Sequence, residues 1–301
     1  MKLAGYSRGI FNKRRNRNRQ MLAITKIKKD MEYNRNFASL MEVLKGIAAS
    51  QFQALEKKLT VFAPFDEVLQ SFFGVLKREE WHHPFSETRL GPSALIAVTS
   101  DQGLLGGLNL RVITTAVNLM QSKKDILIVV GEKGQGYARD LCGHFTAFPG
   151  IQDDQREAQA VELRNYLFRK AQEEKITSIR VVYPRALTLV HHRIDIATLL
   201  PFSLDPGQGP EPPPFQNVVL ESSVEAICEY LIFLSAGRKL GEIFGLSRLA
   251  EMAARYTHLE EASQKIQALN QKFRLRYFRL RHEAIDQSMR EIFSARAIHA
   301  R

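Results

Sequence analysis

Proline and glycine are missing from the C-terminal part of the chain. No proline occurs in the last 87 residues, Phe215 to Arg301, and no glycine follows Gly245. Because these two residues most often interrupt helices, nothing local prevents this segment from forming one very long helix. A compact domain does not need such a helix, which is typical of a shaft, a spacer or a lever.

Long apolar runs and cysteines are also scarce. No apolar run approaches the roughly 18 residues that a transmembrane helix requires, so we expect none. The two cysteines, Cys142 and Cys228, lie far apart and lack metal-ligand spacing, which fits a reducing compartment. A content of 45% hydrophobic and 25% charged residues is typical of a folded soluble protein.

Acidic residues are absent from the first 20 positions, which contain seven lysines and arginines. This leader supplies most of the net charge of +11. It lacks the apolar core of a secretory signal. It could be a nucleic-acid-binding arm, a transit peptide, or a disordered or untranslated leader before a start at Met21. We favour the untranslated leader.

The C-terminal segment carries two rows of residues at seven-residue spacing. One row contains Met252, Leu259, Ile266, Phe273 and Leu280, and the other contains Leu249, Tyr256, Ser263, Asn270, Tyr277 and Ala284. Two adjacent heptad rows form a narrow seam that suits one partner helix, as in a coiled coil. Polar residues at seam positions, here Ser263 and Asn270, weaken packing but can fix the register.

A second long helix is predicted near the N-terminus. Apolar residues recur there at three- or four-residue steps, with one looser interval, until Pro64. They are Ile24, Ile27, Met31, Phe37, Met41, Leu44, Ala48, Phe52, Leu55, Leu59 and Phe62. The simplest way for one chain to bury both seams is to pair the two helices antiparallel.

The middle of the chain alternates strand-like and helix-like segments. Strands are predicted at 95–99, 126–130, 178–183 and 187–194, and helical patterns at 108–122, 137–144 and 153–175. This alternation predicts a Rossmann-like α/β domain with a mostly parallel sheet. The resulting division is a basic leader (1–20), a first shaft helix (21–75), the α/β domain (90–204), a Pro/Gly loop (205–214) and a second shaft helix (215–301).

Several motifs suggest chemistry but are better explained by structure. The glycine-rich segments 101–109 and 131–136 follow strands, where phosphate loops occur, but neither has dinucleotide-fingerprint or Walker spacing, so tight turns are favoured. The histidine pairs His82-His83 and His191-His192 lack a further ligand at suitable spacing, so we expect no metal site. We find no nucleophile and base arrangement, and we expect no cofactor and no catalysis within this chain.

Three segments together resemble one family, the gamma subunit of the rotary ATP synthase. Residues 41–50, ending Ile47-Ala48-Ala49-Ser50, are similar to its "MxMVAAS" segment, and residues 98–109 are similar to its "STDRGLCGGLN" loop. The residues matching in that loop include Asp101, Gly103, Gly106, Gly107 and Asn109. Residues 277–292 are similar to its closing "YNxxRQxxITxELxEI", with Tyr277, Arg281, Glu291 and Ile292 matching.

The resemblance covers residues 21–299 in matching order and implies a non-catalytic rotor shaft. Its two helices would form a coiled coil inside a ring of three alpha and three beta subunits. The α/β domain would lie near the epsilon subunit and the ring of c-subunits. Proton or sodium flow would turn the shaft, and its asymmetric surface would shift each beta subunit between nucleotide-binding states. The family implies a peripheral location on the cytoplasmic face of a bacterial or archaeal plasma membrane.

This sequence departs from the family pattern at several motif positions. Gln102 replaces the usual Arg, Leu105 the usual Cys, and Leu44-Lys45-Gly46 the Met-rich approach. In the closing segment, His282, Asp286 and Ser288 replace Gln, Thr and Glu. We predict that Arg279, Arg281, His282 and Asp286 take part in rotor–ring contacts.

Two other functions remain as alternatives. A coiled-coil nucleic-acid-binding protein could use the leader and the C-terminal arginines, since residues 271–301 contain eight basic and three acidic residues. A nucleotide-dependent enzyme could bind its ligand at 101–109. The family resemblance favours the rotor, with no nucleic-acid partner and no membrane span.

Overall fold

The computed structural model describes residues 3–59, 91–202 and 222–299. Two long helices flank the central domain: α1 spans Leu3–Leu59 and α5 spans Val224–His299. At about 1.5 Å per residue, the 76 residues of α5 extend roughly 110 Å. The backbone of α1 begins within the basic leader. The expected helical stretch 60–75, the loop 205–214 and the pair His82-His83 lie outside the described residues.

The two long helices pair antiparallel along the predicted seam. In α5 every third or fourth residue from Leu259 to Ala284 is buried or half-buried, while the residues between them are mostly exposed. In α1 the inward residues include Ile27, Met41, Ala48 and Phe52. The coiled-coil pattern is therefore confirmed.

One residue of the α1 pattern was assigned to the wrong face. Phe37 was expected in the seam, but it is exposed and stacks on Tyr33, with ring centroids 6.2 Å apart. The half-buried Ala38 occupies the seam position instead. The heptad count continues from Met31 through Ala38 to Lys45, so Phe37 falls one residue, or roughly 100°, outside the seam.

A five-stranded sheet forms the centre of the domain. The strands are β1 (Ser93–Val98), β2 (Ile126–Val130), β3 (Thr146–Phe148), β4 (Ser178–Ala186) and β5 (His192–Leu200). Their order across the sheet is β3-β2-β1-β4-β5. All neighbouring pairs are parallel except β4 and β5, which form an antiparallel hairpin. The expected mostly parallel sheet is confirmed.

Helices cover both faces of this sheet, as the apolar residues of β1 require. Leu95 and Ala97 pack against α2 (Leu108–Asn118) and α3 (Glu132–Leu141). Ala94, Ile96 and Val98 point to the other face, where they pack against α4 (Arg156–Glu173) and the first part of α5. Adjacent side chains in a strand point to opposite faces, so a strand covered on both sides must be apolar throughout.

Two boundaries differ from the sequence-based expectation. The last strand was placed at 187–194, but residues 187–191 form the hairpin turn, in which the Thr188 hydroxyl accepts the amide hydrogens of Val190 and His191. No glycine or proline marks this turn. The glycine-rich segment 131–136 is mostly the first turn of α3, because the carboxylate of Asp101 accepts the amide hydrogen of Glu132 at 2.8 Å. The short strand β3 was not predicted.

Candidate functional site

The candidate contact residues on α5 divide into two faces. Arg279, Arg281, His282 and Asp286 are all exposed. At roughly 100° per residue, Arg279, His282 and Asp286 share the face opposite the seam, whereas Arg281 projects from a different side. One partner surface could therefore contact three of the four residues together.

The residues of the closing motif have mixed environments. Tyr277 is half-buried in the seam and its ring meets Phe278 edge-to-face, with centroids 5.6 Å apart. Glu291 is half-buried and Ile292 is exposed. Ile292 belongs to a set of exposed apolar residues near the end of α5, the others being Ile285, Met289 and Phe293.

The alanine motif of α1 separates a buried face from an exposed one. Ala48 is fully buried, Ala49 is half-buried, and Ile47 and Ser50 are exposed. Ile47 continues a set of large exposed side chains, which we call the α1 apolar stripe: Tyr33, Phe37, Leu40, Val43 and Ile47. These residues recur at three- or four-residue steps, so they line one side of the helix beside the seam.

The glycine loop 100–109 connects β1 to α2 in a fixed conformation. The side chain of Asn109 accepts the Ser100 amide hydrogen at 3.2 Å and donates to the Ser100 hydroxyl at 2.9 Å. Gly106 and Gly107 have φ of 55° and 83°, which glycine adopts without strain. Leu104 also has a positive φ, 65°, and its side chain is exposed. A leucine is rarely found in this conformation, so the surrounding contacts must hold it there.

Contacts to the middle of α5 hold the glycine loop in place. Arg255 donates to the side-chain oxygen of Gln102 at 2.7 Å. A Cβ on Gly106 would lie 3.3 Å from the His258 ring, so the loop passes close to the helix. Leu105 and Leu108 pack on Ala254. Gly103 has open space around it, so its role is not explained by crowding.

A buried acid lies beside this attachment. The side chain of Glu251 is 3% exposed and accepts a hydrogen bond from Arg248 at 2.6 Å. The same guanidinium donates to both carboxylate oxygens of Asp153, at 2.9 and 3.2 Å. Burial raises the pKa of Glu251 to about 7, although Arg248 and Arg255 oppose the rise. Arg248 lowers the pKa of Asp153.

Sequence reasoning missed this buried cluster, and no sequence signal identified it. The heptad pattern assigns Leu249 and Met252 to the seam, which leaves Glu251 on an outer side. Residues 249–254 are instead buried all round. Phe52 of α1 packs against one side of this segment, and Leu105 of the glycine loop packs against another.

The ring of His192 has one polar contact among the described residues, while its Nδ1 is buried without a partner there. Nε2 of His192 lies 2.7 Å from a guanidinium nitrogen of Arg111, and burial lowers the pKa of His192. Within residues 3–59, 91–202 and 222–299, no group of three or more His, Cys, Asp or Glu side chains is arranged to hold a metal ion. No helix in the same ranges combines the length and apolar character needed to span a bilayer.

An α/β domain interrupting a long antiparallel helix pair, with exposed apolar and basic residues on the helices, defines the class of central-stalk proteins. The family model described as ATP synthase matches residues 23–297. The chain therefore belongs to the ATP synthase gamma family. The resemblance that the three motifs indicated is confirmed.

Curated relatives and solved structures agree with this assignment. The ATP synthase gamma chain of Clostridium acetobutylicum is 26% identical, over 80% of this chain and 84% of the relative. That of Clostridium beijerinckii is 24% identical, over 92% and 97%. The fold is similar to a cryo-EM structure of the rotor of Euglena gracilis mitochondrial ATP synthase, with a TM-score of 0.62 and 15% identity, covering 87% of this chain and 99% of the other.

Proposed function

We propose that this chain is the non-catalytic rotor shaft that couples proton or sodium flow to ATP synthesis or hydrolysis. Family membership carries the proposal, and the paired helices supply the stiff element that torque requires. Its partners are a ring of three alpha and three beta subunits, an epsilon subunit and a ring of c-subunits. A solved structure with similar fold is a mitochondrial assembly described as OSCP/F1/c-ring, with a TM-score of 0.62 and 16% identity.

We also propose where this complex works. The most similar curated relatives include gamma chains from several Clostridium species, so we place the complex at the cytoplasmic face of a bacterial or archaeal plasma membrane. The gamma chain is a peripheral subunit there.

The ring contacts involve two kinds of surface. The α1 apolar stripe offers large exposed side chains for contact with the inside of the ring. Arg279, His282 and Asp286 offer charged and polar groups on one face of α5. Exposed charge pairs are individually weak, so such contacts can form and break as the shaft turns. Only contacts that differ between states of the ring can shift its nucleotide affinities.

Co-expression with the alpha and beta subunits of the same source tests the proposal. We expect a native mass with one copy of this chain per three alpha–beta pairs, and ATP hydrolysis that depends on it. A chain that stays free while alpha and beta fold normally would contradict the rotor function.

Variants of the assembled complex test the contact residues. We expect Arg279→Ala/His282→Ala/Asp286→Asn to reduce ATP-driven ion pumping relative to ATP hydrolysis. Arg276→Ala, which removes one exposed positive charge a turn earlier, is the control. Arg281→Ala reports separately on the other face. Unchanged coupling in the triple variant would remove these residues from the interface without affecting the rotor assignment.

A further inference from the structure

The seam of α1 is less apolar than the surface beside it. Between residues 34 and 48 the successive seam positions hold Asn34, Ala38, Met41, Lys45 and Ala48, of which only Met41 is large and apolar. The five residues of the α1 apolar stripe face outward. The stripe lies one residue, or roughly 100°, from the seam. Over residues 33–48, burial of apolar area alone would favour rolling α1 so that the stripe enters the seam, even though rolling would expose Met41. Some other interaction must select the observed face.

A polar cluster joins the two helices at this level. Lys45 Nζ lies 2.6 Å from a carboxylate oxygen of Glu260 and 2.6 Å from one of Glu42. The Ser263 hydroxyl, which is almost fully buried, donates to the other oxygen of Glu42 at 2.9 Å. α1 supplies Glu42 and Lys45, and α5 supplies Glu260 and Ser263. Glu42 contacts both Lys45 and Ser263, so it links these two side chains. The Lys45 side chain is 19% exposed, whereas those of Glu260 and Glu42 are 36% and 47% exposed, so the cluster lies at the edge of the seam.

A second polar position follows two turns further along the pair. The side-chain nitrogen of Asn34 and the side-chain oxygen of Asn270 are both buried, and neither has a partner among the described residues. Glu42 meets Ser263 and Lys45 meets Glu260, so the antiparallel count brings Asn34 beside Asn270. One amide lacks an acceptor and the other lacks a donor. A small side-chain adjustment would satisfy both groups, as in coiled coils in which buried asparagine fixes the pairing.

We propose that Lys45 and Asn34 are positioning residues that select which face of α1 packs against α5. Rolling α1 by one residue would separate Lys45 from Glu260 and Glu42 from Ser263, and would place large apolar side chains in the seam. The polar contacts therefore hold the α1 apolar stripe outward. That the stripe then meets the alpha–beta ring rests on the proposed function, but the choice of face does not.

Thiol accessibility in the full-length chain tests the choice of face. Leu40 is 49% exposed and Met41 is 6% exposed, and rolling by one residue would reverse their environments. Leu40→Cys and Met41→Cys are made separately, and alkylation by N-ethylmaleimide is followed by peptide mass spectrometry. With the polar residues intact, we expect Leu40→Cys to react much faster than Met41→Cys.

Removing the polar residues should change this ratio. In Lys45→Leu/Asn34→Leu, we expect the rate ratio to fall roughly fivefold, since the partly exposed contacts of Lys45 are individually weak and the two leucines add apolar side chains to the seam. The variant Lys45→Glu/Glu42→Lys/Glu260→Lys, which reverses every charge of the cluster and leaves Asn34 in place, should keep the ratio of the unmodified protein. Lys29→Leu, which removes an exposed lysine from α1, should leave it unchanged. A ratio that stays constant without Lys45 and Asn34 would overturn the proposal.

The individual rates distinguish rolling from separation of the two helices: rolling slows Leu40→Cys while it speeds Met41→Cys, whereas separation leaves both fast. The native Cys228 reports separately on opening of the sheet domain. Its side chain is fully buried, so it reacts only if the surrounding domain opens. A slower Leu40→Cys together with a faster Met41→Cys, with Cys228 still protected, supports rolling, and a double variant in which both thiols react fast contradicts it. If the double variant exposes Cys228, the milder Glu260→Gln decides the question, because it weakens the same contact without adding apolar bulk. The chain is labelled without alpha or beta subunits, so failure to assemble a ring would not affect this result.

Discussion

Replacing Glu251 by glutamine is expected to stabilise the protein at pH 8 and to have little effect at pH 5. Glutamine keeps the size of the side chain and one acceptor oxygen, replaces the other oxygen by an NH2 group, and cannot ionise. Burial disfavours the charged carboxylate, and the two nearby arginines favour it. The pKa of about 7 means that burial is the stronger effect.

The size and direction of the effect follow from the pKa. A folded-state pKa of about 7, against 4.5 in the unfolded chain, makes the folded state bind the proton more tightly. The resulting stability is fully present below pH 4.5 and is lost as the pH rises through about 7. At about 1.36 kcal/mol per pKa unit, the loss is at most about 3 kcal/mol. The free energy of unfolding of Glu251→Gln at pH 8 should therefore be higher than that of the wild type by up to about 3 kcal/mol.

Urea unfolding followed by circular dichroism measures this difference. His192 also changes stability in this range: its lowered pKa means that stability is lost as the pH falls through its ordinary value of 6.5. Subtracting wild type from variant at each pH cancels that contribution, because both proteins contain His192. Asp153 does not interfere, since its pKa is lowered from 3.8 and it titrates below pH 5.

A destabilised Glu251→Gln protein at pH 8 would refute this reasoning. It would mean that the contact with Arg248 outweighs burial and that Glu251 is ionised throughout. Glu261→Gln, on the exposed side of α5, controls for removing a carboxylate from the helix.

Four further substitutions have defined outcomes in thermal and urea unfolding. Arg248→Met removes the hydrogen-bonded partner of the buried Glu251 and should cost about 3 kcal/mol or more at pH 8, with a smaller loss at pH 5 where the acid is protonated. Gly134→Ala would bring a Cβ into collision with the Thr99 side chain and should cost about 1–3 kcal/mol of stability. Gly136 lies on the same helix with open space around it, so Gly136→Ala should stabilise the protein by up to about 1 kcal/mol. Thr188→Ala removes the acceptor of two turn amides and should cost about 1 kcal/mol, and equal stability would mean that water replaces the hydroxyl.

The regular parts of the fold could be predicted from the sequence because they depend on local periodicity. The heptad rows through Met252 and Leu249 identified the seam of α5, and the apolar run Ile126–Val130 coincides with β2. Those patterns repeat over many residues, so a single exception has little effect. The misassigned Phe37 shows the limit: hydrophobicity placed it inside, whereas the contacts of Lys45 favour the neighbouring face.

The buried polar contacts could not be predicted, because they join residues that are distant in sequence. Arg248 and Asp153 are 95 positions apart, and Arg255 and Gln102 are 153 apart. No periodicity relates such pairs. The family pattern has arginine where this chain has Gln102. An arginine at this position would place a second positive charge beside Arg255, whereas glutamine accepts its hydrogen bond. The structure therefore explains this departure from the family pattern.

The distribution of glycine along α5 reflects two kinds of packing in one helix. In its first part, a Cβ at Gly237 would lie 2.9 Å from the Arg164 guanidinium, and one at Gly241 would lie 2.7 Å from the Glu157 carboxylate. Glycine there lets α5 lie close to α4, at a cost in helix propensity of about 1 kcal/mol each. From Leu259 onward the helix packs through seam side chains such as Ile266 and Phe273, and close backbone approach gives no advantage there. The absence of glycine from the C-terminal segment is therefore expected of a helix whose stiffness matters more than close packing.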